Sequence, residues 1–300
     1  MRKFVIYLLI VLFGVVLLDG LNRLLIELAY IHLPTDSELS RRQEYVTACD
    51  AELMILGASR GVYDYNTQML SDSLHLSCKS ISKEGMSVVS QFVSVKKAIE
   101  HGKTKIIIYD LSIAQLADDW VENQTSVYYP FYWKNEDVKS FVERQQGKKM
   151  RLLLSSSFIQ YNSLLYDLLY YGFVLKTNDK NGFVALPYTG KPFAPKTEDF
   201  LEEPIRINPT GEDYLQRIID VCKDNSIRLI LCDSPRVNNK NQDIDKYLEI
   251  IAAENQLDFW NYSDFEPVCS DMRYFVDPVH INGLGANLFT QEIINRLREF

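Results

Sequence analysis

The sequence has few cysteines, and none of them forms a ligand or redox pair. The five cysteines are scattered without a CxxC pair, which excludes a zinc ribbon and a thioredoxin motif. Their odd number argues against a complete disulfide framework, although one or two bridges stay open. They are Cys49, Cys78, Cys222, Cys232 and Cys269.

Glycine-rich phosphate loops and metal-ligand patterns are also missing. No Gly-x-Gly-x-x-Gly or Walker sequence follows a strand-like run, so nucleotide binding through such loops has no support. Asp271, Asp277 and His280 share no helical spacing with a second histidine or carboxylate. We therefore expect no metal and no cofactor.

Positive charge is in deficit, with 32 Lys and Arg against 40 Asp and Glu, a net charge of −8. This balance gives no support to a nucleic-acid partner. Apolar residues make up 47% and charged residues 24% of the chain, close to globular averages, which excludes disorder, collagen and a polytopic membrane protein. The 300 residues exceed one small domain and fall short of two average ones, at roughly 100–200 residues each.

A single long apolar run lies at the N-terminus. Phe4 to Leu18 holds no charge, and a helix from Lys3 to Asn22 would span about 30 Å, the thickness of a hydrocarbon core. The sequence after it lacks a small-x-small cleavage site and stays apolar from Leu24 to Ile31. We predict a membrane anchor over residues 1–31, with a cleaved signal peptide and a buried soluble helix as the alternatives.

The charges around this run indicate its orientation. Arg2, Lys3 and the α-amino group favour a cytoplasmic N-terminus. Arg23, Arg41 and Arg42 on the far side weaken that rule, but long domains translocate largely regardless of charge. The remaining chain is therefore expected outside the cytoplasm.

Beyond residue 48, buried strand-like runs alternate with amphipathic helical segments. This alternation predicts an α/β fold, a three-layer α/β/α arrangement with a parallel sheet of about five strands. Polar residues such as Asp233 end the strands, where such folds place their sites. The predicted strands are Glu52–Leu56, Ile106–Tyr109, Ile227–Cys232 and Leu257–Trp260, and the predicted helices are Val88–His101, Gly211–Asn225, Asp243–Asn255 and Gly285–Leu297.

Residues 115–208 interrupt this rhythm with an aromatic-rich insertion. It holds the run from Tyr128 to Trp133, then a helix-like apolar segment over Phe158–Val174. One interpretation is that its aromatics cover the sheet edge. The other is a lid over a substrate cleft, in which Tyr132 and Trp133 bind substrate.

Ser59 directly follows the first strand, in Leu56-Gly57-Ala58-Ser59-Arg60. Gly57 permits a tight strand-to-helix turn that projects a serine hydroxyl from the sheet edge, where backbone N–H groups of the next helix can stabilise an oxyanion. A serine N-cap is the simpler alternative.

Asp277 and His280 form a second cluster near the C-terminus, in Asp277-Pro278-Val279-His280. A carboxylate three residues before a histidine can hold one ring nitrogen while the other faces a nucleophile. A serine needs such a neighbouring base because its hydroxyl is a poor nucleophile at neutral pH. A loop histidine beside a capping aspartate is the alternative.

Together these motifs resemble the SGNH/GDSL hydrolase superfamily. The match consists of Gly57-x-Ser59, Gly85 and Asp277-x-x-His280, and covers residues 48–112 and 210–299. The surrounding sequence looks like a membrane-anchored envelope branch, notably of Bacteroides-like organisms. The resemblance implies a flavodoxin-like SGNH domain over residues 32–300 that includes the insertion. It also implies that Ser59 is the nucleophile, His280 the base, Asp277 its orienting partner, and the backbones of Ser59 and Gly85 the oxyanion hole.

One block departs from the family pattern at the end of the second predicted strand. The family carries Gly-x-Asn-Asp there, whereas this chain has Tyr109-Asp110-Leu111-Ser112. Loss of one oxyanion donor costs roughly 10²–10³ in rate. Asp110 is expected to be structural. Arg60 is a candidate anchor for an anionic substrate group, with a salt bridge to a core-edge carboxylate as an equal alternative.

The resemblance implies a serine esterase or O-acyltransferase acting on acyl esters, first of all acetyl esters, of an envelope glycan. Its partners would be the acylated glycan, the membrane and a membrane acyltransferase. The competing hypothesis is a catalytically silent SGNH-like module that binds glycan or assembles an envelope complex.

Overall fold

The computed structural model describes residues 2–32, 50–100, 102–116, 125–161, 168, 181–196, 207–237 and 242–299. The chain divides into two compact units. We call Met1–Gln43 with Thr125–Thr177 the helix-insertion unit, and Glu44–Gln124 with Asn178–Phe300 the sheet unit. The predicted insertion is thus divided, because residues 125–177 group with the N-terminal helix and residues 178–208 with the sheet.

The sheet unit is built on five parallel strands in the order β2-β1-β3-β4-β5. This is the flavodoxin-like order 2-1-3-4-5, so the predicted α/β fold class is confirmed. The strands are β1 (Leu53–Gly57), β2 (Cys78–Ser80), β3 (Ile106–Asp110), β4 (Arg228–Asp233) and β5 (Asp258–Asn261). Gly57 of β1 pairs with Asp110 of β3, and Asp110 pairs with Cys232 of β4, so three strand ends meet at one edge.

The four predicted strands lie within one residue of their observed bounds. The apolar runs of β1, β3 and β4 are buried on both faces of the sheet. β2 has no sequence prediction. It is only three residues long and includes Lys79 and Ser80, so it shows neither a run nor an alternation.

Helices of the sheet unit cover both faces of the sheet. On one face, the strand residues Ile55 and Ile108 share a core with Leu70 and Phe289. On the other, the hydroxyl of Tyr109 in β3 bonds to Gln91. The helices are α2 (Ser59–Tyr63), α3 (Thr67–Leu74), α4 (Val88–Glu100), α8 (Pro209–Asp224), α9 (Gln242–Asn255), α10 (Glu266–Cys269) and α11 (Gly283–Leu297).

Asparagine caps fix the starts of α8 and α11. Asn208 accepts from the Thr210 N–H and is followed by Pro209 at the first helical position. Asn282 accepts from the N–H groups of Leu284 and Gly285 at the start of α11. Such caps satisfy donors that a helix start leaves unpaired. They explain why both helices begin two residues before their predicted bounds.

The helix-insertion unit is dominated by α1 (Arg2–Ile31), a helix long and apolar enough over Arg2–Ala29 to cross a membrane. Its thirty residues correspond to about 45 Å. The insertion adds a 3₁₀ segment at Thr125–Phe131 and three helices. These are α5 (Glu136–Gln146), α6 (Met150–Leu153) and α7 (Ser157–Tyr161). Most of the predicted Phe158–Val174 helix lies outside the described residues.

Candidate active site

Ser59 is the first residue of α2, directly after the turn that ends β1. Gly57 makes this turn possible, because a Cβ atom there would lie 2.9 Å from the Asp110 carbonyl oxygen of the neighbouring strand. Only glycine lets the two strand ends approach this closely. The serine therefore stands at the carboxyl edge of the sheet, as predicted.

The second half of the site is a short loop closed on itself. Phe275 and Ile281 form an antiparallel bridge, and Val276 N–H donates to the His280 carbonyl at 3.0 Å. Inside the loop, Asp277 Oδ1 accepts from the N–H groups of Val279 and His280, each at 2.9 Å. The loop thus holds the carboxylate and the imidazole in one fixed relation.

The two halves meet at the predicted triad. His280 Nε2 lies 2.7 Å from Ser59 Oγ, and His280 Nδ1 lies 2.7 Å from Asp277 Oδ2. An ionised carboxylate can only accept, so Asp277 favours the tautomer with the proton on Nδ1. His280 Nε2 is then free to accept the serine proton. Nucleophile, base and orienting group are within hydrogen-bond reach, as general-base catalysis requires.

Asp277 is held in its charged form. Partial burial acts to raise its pKa, but the His280 ring and the N–H groups of Val279 and His280 outweigh this, and the pKa lies below its ordinary value. A carboxylate that stays ionised can stabilise the imidazolium that forms when His280 accepts a proton.

Tyr63 and Glu84 are neighbours of the triad for which the sequence analysis made no prediction. The Tyr63 ring meets the His280 ring edge-on, with centroids 5.5 Å apart, and its hydroxyl bonds to Glu84. Gly85 follows with a positive φ of 66°, which glycine adopts at little cost. The spacing from Ser59 to Tyr63 could have identified Tyr63, because residues four apart lie on the same face of a helix.

Arg60 does not present its guanidinium to a substrate. It is buried and ion-paired with Asp110 and Asp233, at 2.6 Å to each. The salt bridge that the sequence left open as an alternative is therefore present. Arg60 directly follows Ser59, so its two ion pairs connect the ends of β3 and β4 to the start of α2.

The paired carboxylates belong to a larger buried cluster. Asp233 also binds Arg236 at 2.8 Å, and Asp110 Oδ2 accepts from the Tyr65 hydroxyl at 2.7 Å. Asp64 is fully buried and accepts from the Ser234 hydroxyl at 2.9 Å. We call Arg60, Asp64, Asp110, Asp233 and Arg236 the buried charge cluster.

The cluster contains three carboxyl groups and two guanidinium groups, and the pKa values of its carboxyl groups shift in different directions. Burial, together with Asp110, raises the pKa of Asp64 well above its ordinary value. Burial also acts to raise the pKa of Asp233, but Arg60 and Arg236 reverse this and lower it. These opposite directions favour the neutral form of Asp64 and the charged form of Asp233. Burial, only partly offset by Arg60, also raises the pKa of Asp110.

Asp110 is a buried ion-pair partner of Arg60, which fits the structural role expected for it. Gln115 carries a side-chain amide shortly after β3, and this amide already makes hydrogen bonds within the fold. Gln115 Nε2 donates to the Asp110 carbonyl and the Ser112 hydroxyl, and Gln115 Oε1 accepts from Gln91. The backbones of Ser59 and Gly85 stay the predicted oxyanion donors.

Tyr132 and Trp133, the predicted substrate contacts, lie in the helix-insertion unit. Tyr132 is buried and donates its hydroxyl to Glu143 at 2.7 Å. Trp133 is half exposed, and its indole N–H donates to the Leu154 carbonyl at 2.8 Å. Their contact with substrate stays a prediction.

The sheet unit contains a groove of about 440 Å³, and its lining includes Gly283, three residues after His280 in the sequence. Its lining combines apolar side chains with those of two asparagines. It is lined by Asn66, Phe183, Ala185, Leu186, Tyr188, Gly283, Leu284 and Asn287. Within the described ranges, no three His, Cys, Asp or Glu side chains are grouped as metal ligands.

No protein-family model matches the chain, and no curated protein matches it. Solved structures with a similar overall course of the chain include a GDSL-like lipase from Bacteroides thetaiotaomicron. It is 11% identical with a TM-score of 0.37, and the match covers 85% of this chain and 90% of that one. An acetyl xylan esterase is 10% identical with a TM-score of 0.41, covering 82% and 98% of the two chains.

Proposed function

We propose that the chain is a membrane-anchored serine esterase or O-acyltransferase acting on acyl esters of an envelope glycan, acetyl being the first candidate. The observation that carries the proposal is the relay from Ser59 through His280 to Asp277, with both contacts at 2.7 Å. Residues from two distant parts of the chain meet in the geometry that serine nucleophiles require.

The relay supports a two-step reaction. Ser59 Oγ attacks the ester carbonyl while His280 Nε2 accepts its proton, and the resulting oxyanion is held by the N–H groups of Ser59 and Gly85. The intermediate expels the alcohol, which receives the proton from His280, and leaves an acyl group on Ser59. Water or a sugar hydroxyl, deprotonated by His280, then attacks this acyl-enzyme. The bond to Ser59 breaks, the free acid or the acylated sugar leaves, and His280 returns the proton to Ser59.

The groove beyond His280 supports a carbohydrate substrate. It combines an exposed aromatic ring, Tyr188, with the polar side chains of Asn66 and Asn287, which share a hydrogen bond of 2.7 Å. Small-molecule sites commonly join apolar walls with a few placed polar groups. A sugar ring lying on Tyr188 would bring a neighbouring acyl substituent toward the end of α11 that follows His280.

The contacts of α1 support a retained anchor over a cleaved leader. Asp19 accepts from the Ser157 N–H at 2.8 Å, and Tyr161 donates to Glu27 at 3.1 Å. Ile26 is buried in the same unit. Cleavage would remove these partners from the insertion. We therefore propose that the anchor stays in the mature protein. The basic residues before α1 favour a sheet unit outside the cytoplasm.

The second candidate is a silent glycan-binding module. One observation favours it, because the Asn of the third family block is replaced by Asp110, which is committed to Arg60. A missing oxyanion donor costs roughly 10²–10³ in rate. Against it stands the assembled triad, which a binding module does not need.

Labelling with a fluorophosphonate separates the two candidates. The wild-type chain should be labelled covalently at Ser59, and Ser59→Ala should not be labelled. Hydrolysis of a small acetyl ester should be lost in the same variant. An unlabelled wild type with a native circular-dichroism spectrum would favour the silent module.

A further inference from the structure

The helix-insertion unit exposes an apolar patch beside α1. Leu152 is 79% exposed and Phe158 55% exposed, although both are large aliphatic or aromatic side chains that usually seek burial. We call the set of neighbouring exposed side chains the apolar patch. It consists of Trp133, Leu152, Leu153, Phe158 and Ile159.

The patch is fixed at a defined height along α1. Asn22 donates to Ser157, and Arg23 donates to the Ser155 carbonyl. These contacts lie where the uncharged run of α1 ends. Tyr161 donates to Glu27. Glu27 lies eight residues, and therefore about 12 Å, beyond Asp19 along α1. The start of α7 and the residues before it therefore face the end of the apolar run, and the end of α7 faces away from it.

The chemistry of the patch fits the boundary between lipid and water. A tryptophan with a bonded indole N–H is typical of this region, and Trp133 donates to the Leu154 carbonyl inside the patch. Two exposed lysines, Lys148 and Lys149, precede the apolar side chains. Basic residues beside exposed Leu, Phe and Trp are the composition of segments that lie in a membrane interface.

We propose that the apolar patch is a second membrane contact, which inserts into the headgroup region of the leaflet where α1 emerges. The occupant is the lipid surface, and the inference depends on the membrane anchorage proposed above. The insertion would then act as a collar that fixes the tilt of α1 and the distance of residues 125–161 from the bilayer.

Depth-dependent quenching tests this in the full chain. Single cysteines at Leu152, Phe158, Val11 and Ile250 carry a nitrobenzoxadiazole fluorophore, with Cys49 and Cys269 changed to serine because the other three cysteines are buried. The protein is reconstituted in vesicles of equal parts phosphatidylcholine and phosphatidylglycerol. The quenchers are lipids with a doxyl group near the headgroup or near the chain end. Ile250, 47% exposed on α9, is the control for an exposed apolar side chain elsewhere.

We expect the deep label to quench the Val11 probe. We expect the shallow label to quench the Leu152 and Phe158 probes about twofold more than it quenches the Ile250 probe. Quenching at Val11 without quenching at Leu152 and Phe158 would overturn the patch and keep the anchor. Equal quenching at Leu152 and Ile250 would overturn it as nonspecific. An unquenched Val11 probe would remove the anchor and the patch together, whatever the fluorophosphonate result.

Discussion

Ser59 and His280 share one hydrogen bond of 2.7 Å, so neither can do its part of the reaction alone. We expect His280→Ala to lower kcat/KM for an acetyl ester about as much as Ser59→Ala, because groups that act as a unit are not additive. Asp277→Asn should cost less, yet still about 10²-fold or more, because the amide no longer fixes the tautomer. Steady-state kinetics of the three variants would check the order. Full activity in Asp277→Asn would contradict the assignment.

Asp110 tests whether the buried charge cluster is structural. Asp110→Asn leaves Arg60 with one fewer counter-charge in a buried site, and breaking a buried pair costs about 3–5 kcal/mol. We expect the free energy of unfolding to fall by this order, while the rate of the folded fraction stays within a few-fold. A large rate gain would mean that the new amide supplies an oxyanion donor. A loss as deep as that of Ser59→Ala would place Asp110 in the mechanism.

Asp64 predicts a pH dependence of stability. Its pKa is raised in the fold, so between the ordinary aspartate pKa of about 3.9 and the raised value the folded chain keeps a proton that the unfolded chain releases. Wild-type stability should therefore contain a term that falls as pH rises through this window. Asp64→Asn removes that term, so the unfolding free energy of the variant minus that of wild type should increase as pH rises above about 4.

Asp233 provides the control of opposite sign. Its pKa is lowered by Arg60 and Arg236, so its contribution is present above the ordinary aspartate pKa and is lost as pH falls through the folded value. Asp233→Asn should destabilise the fold across neutral pH. Urea unfolding of both variants at two pH values measures the contrast, and parallel behaviour of the two would contradict the proton assignment.

At the scale of elements, the β1–α2 turn depends on the absence of a side chain at Gly57. Gly57→Ala would place a Cβ atom 2.9 Å from the Asp110 carbonyl and 3.2 Å from the Asp110 Cβ. Overpacking of this kind costs about 1–3 kcal/mol, and it should also slow fluorophosphonate labelling, because Ser59 lies two residues on. Gly102→Ala is the control, with a positive φ of 67° and no atom within 4 Å. It should lower stability by about 1 kcal/mol and leave labelling unchanged.

The elements that sequence reasoning located share strong local signals. β3 and β4 are continuous apolar runs, and α8 begins at an Asn-Pro pair that marks a helix start. β2 was missed because its three residues carry no periodic signal and are held by pairing with β1. β2 lies at the edge of the sheet and is stabilised by tertiary contacts, which a local sequence pattern does not encode.

The candidate site likewise contains residues that sequence reasoning named and residues that it did not. Ser59, Asp277 and His280 were named because each stands in a short motif. The partner of Arg60 was left open, because Asp110 and Asp233 come from strands 50 and 173 residues away. Tyr63 and Asp64 were not singled out, since their roles depend on which residues the sheet brings beside α2.

At the scale of the molecule, the contacts of α1 predict that the N-terminal helix is part of the folded protein. Intact mass of the purified chain should include residues 1–31. Asp19→Ala with Arg23→Ala removes hydrogen bonds to Ser155, Ser156, Ser157 and Gln160. Limited proteolysis should then cut within residues 125–161 at least several-fold faster, while fluorophosphonate labelling of Ser59 is unchanged. A mature chain that starts after residue 31 would contradict the retained anchor.

The central pair of the sheet has a consequence for synthesis. β3 ends at Asp110 and its neighbour β4 begins at Arg228, so β1, β2 and β3 leave the ribosome long before the strand that covers the open edge of β3. Pairings between distant segments form slowly, because the intervening chain must be closed into a loop first. His280 is made later still. The nascent chain therefore carries its serine without a base for most of its synthesis, and the reactive pair arises only when the last part of the chain is in place.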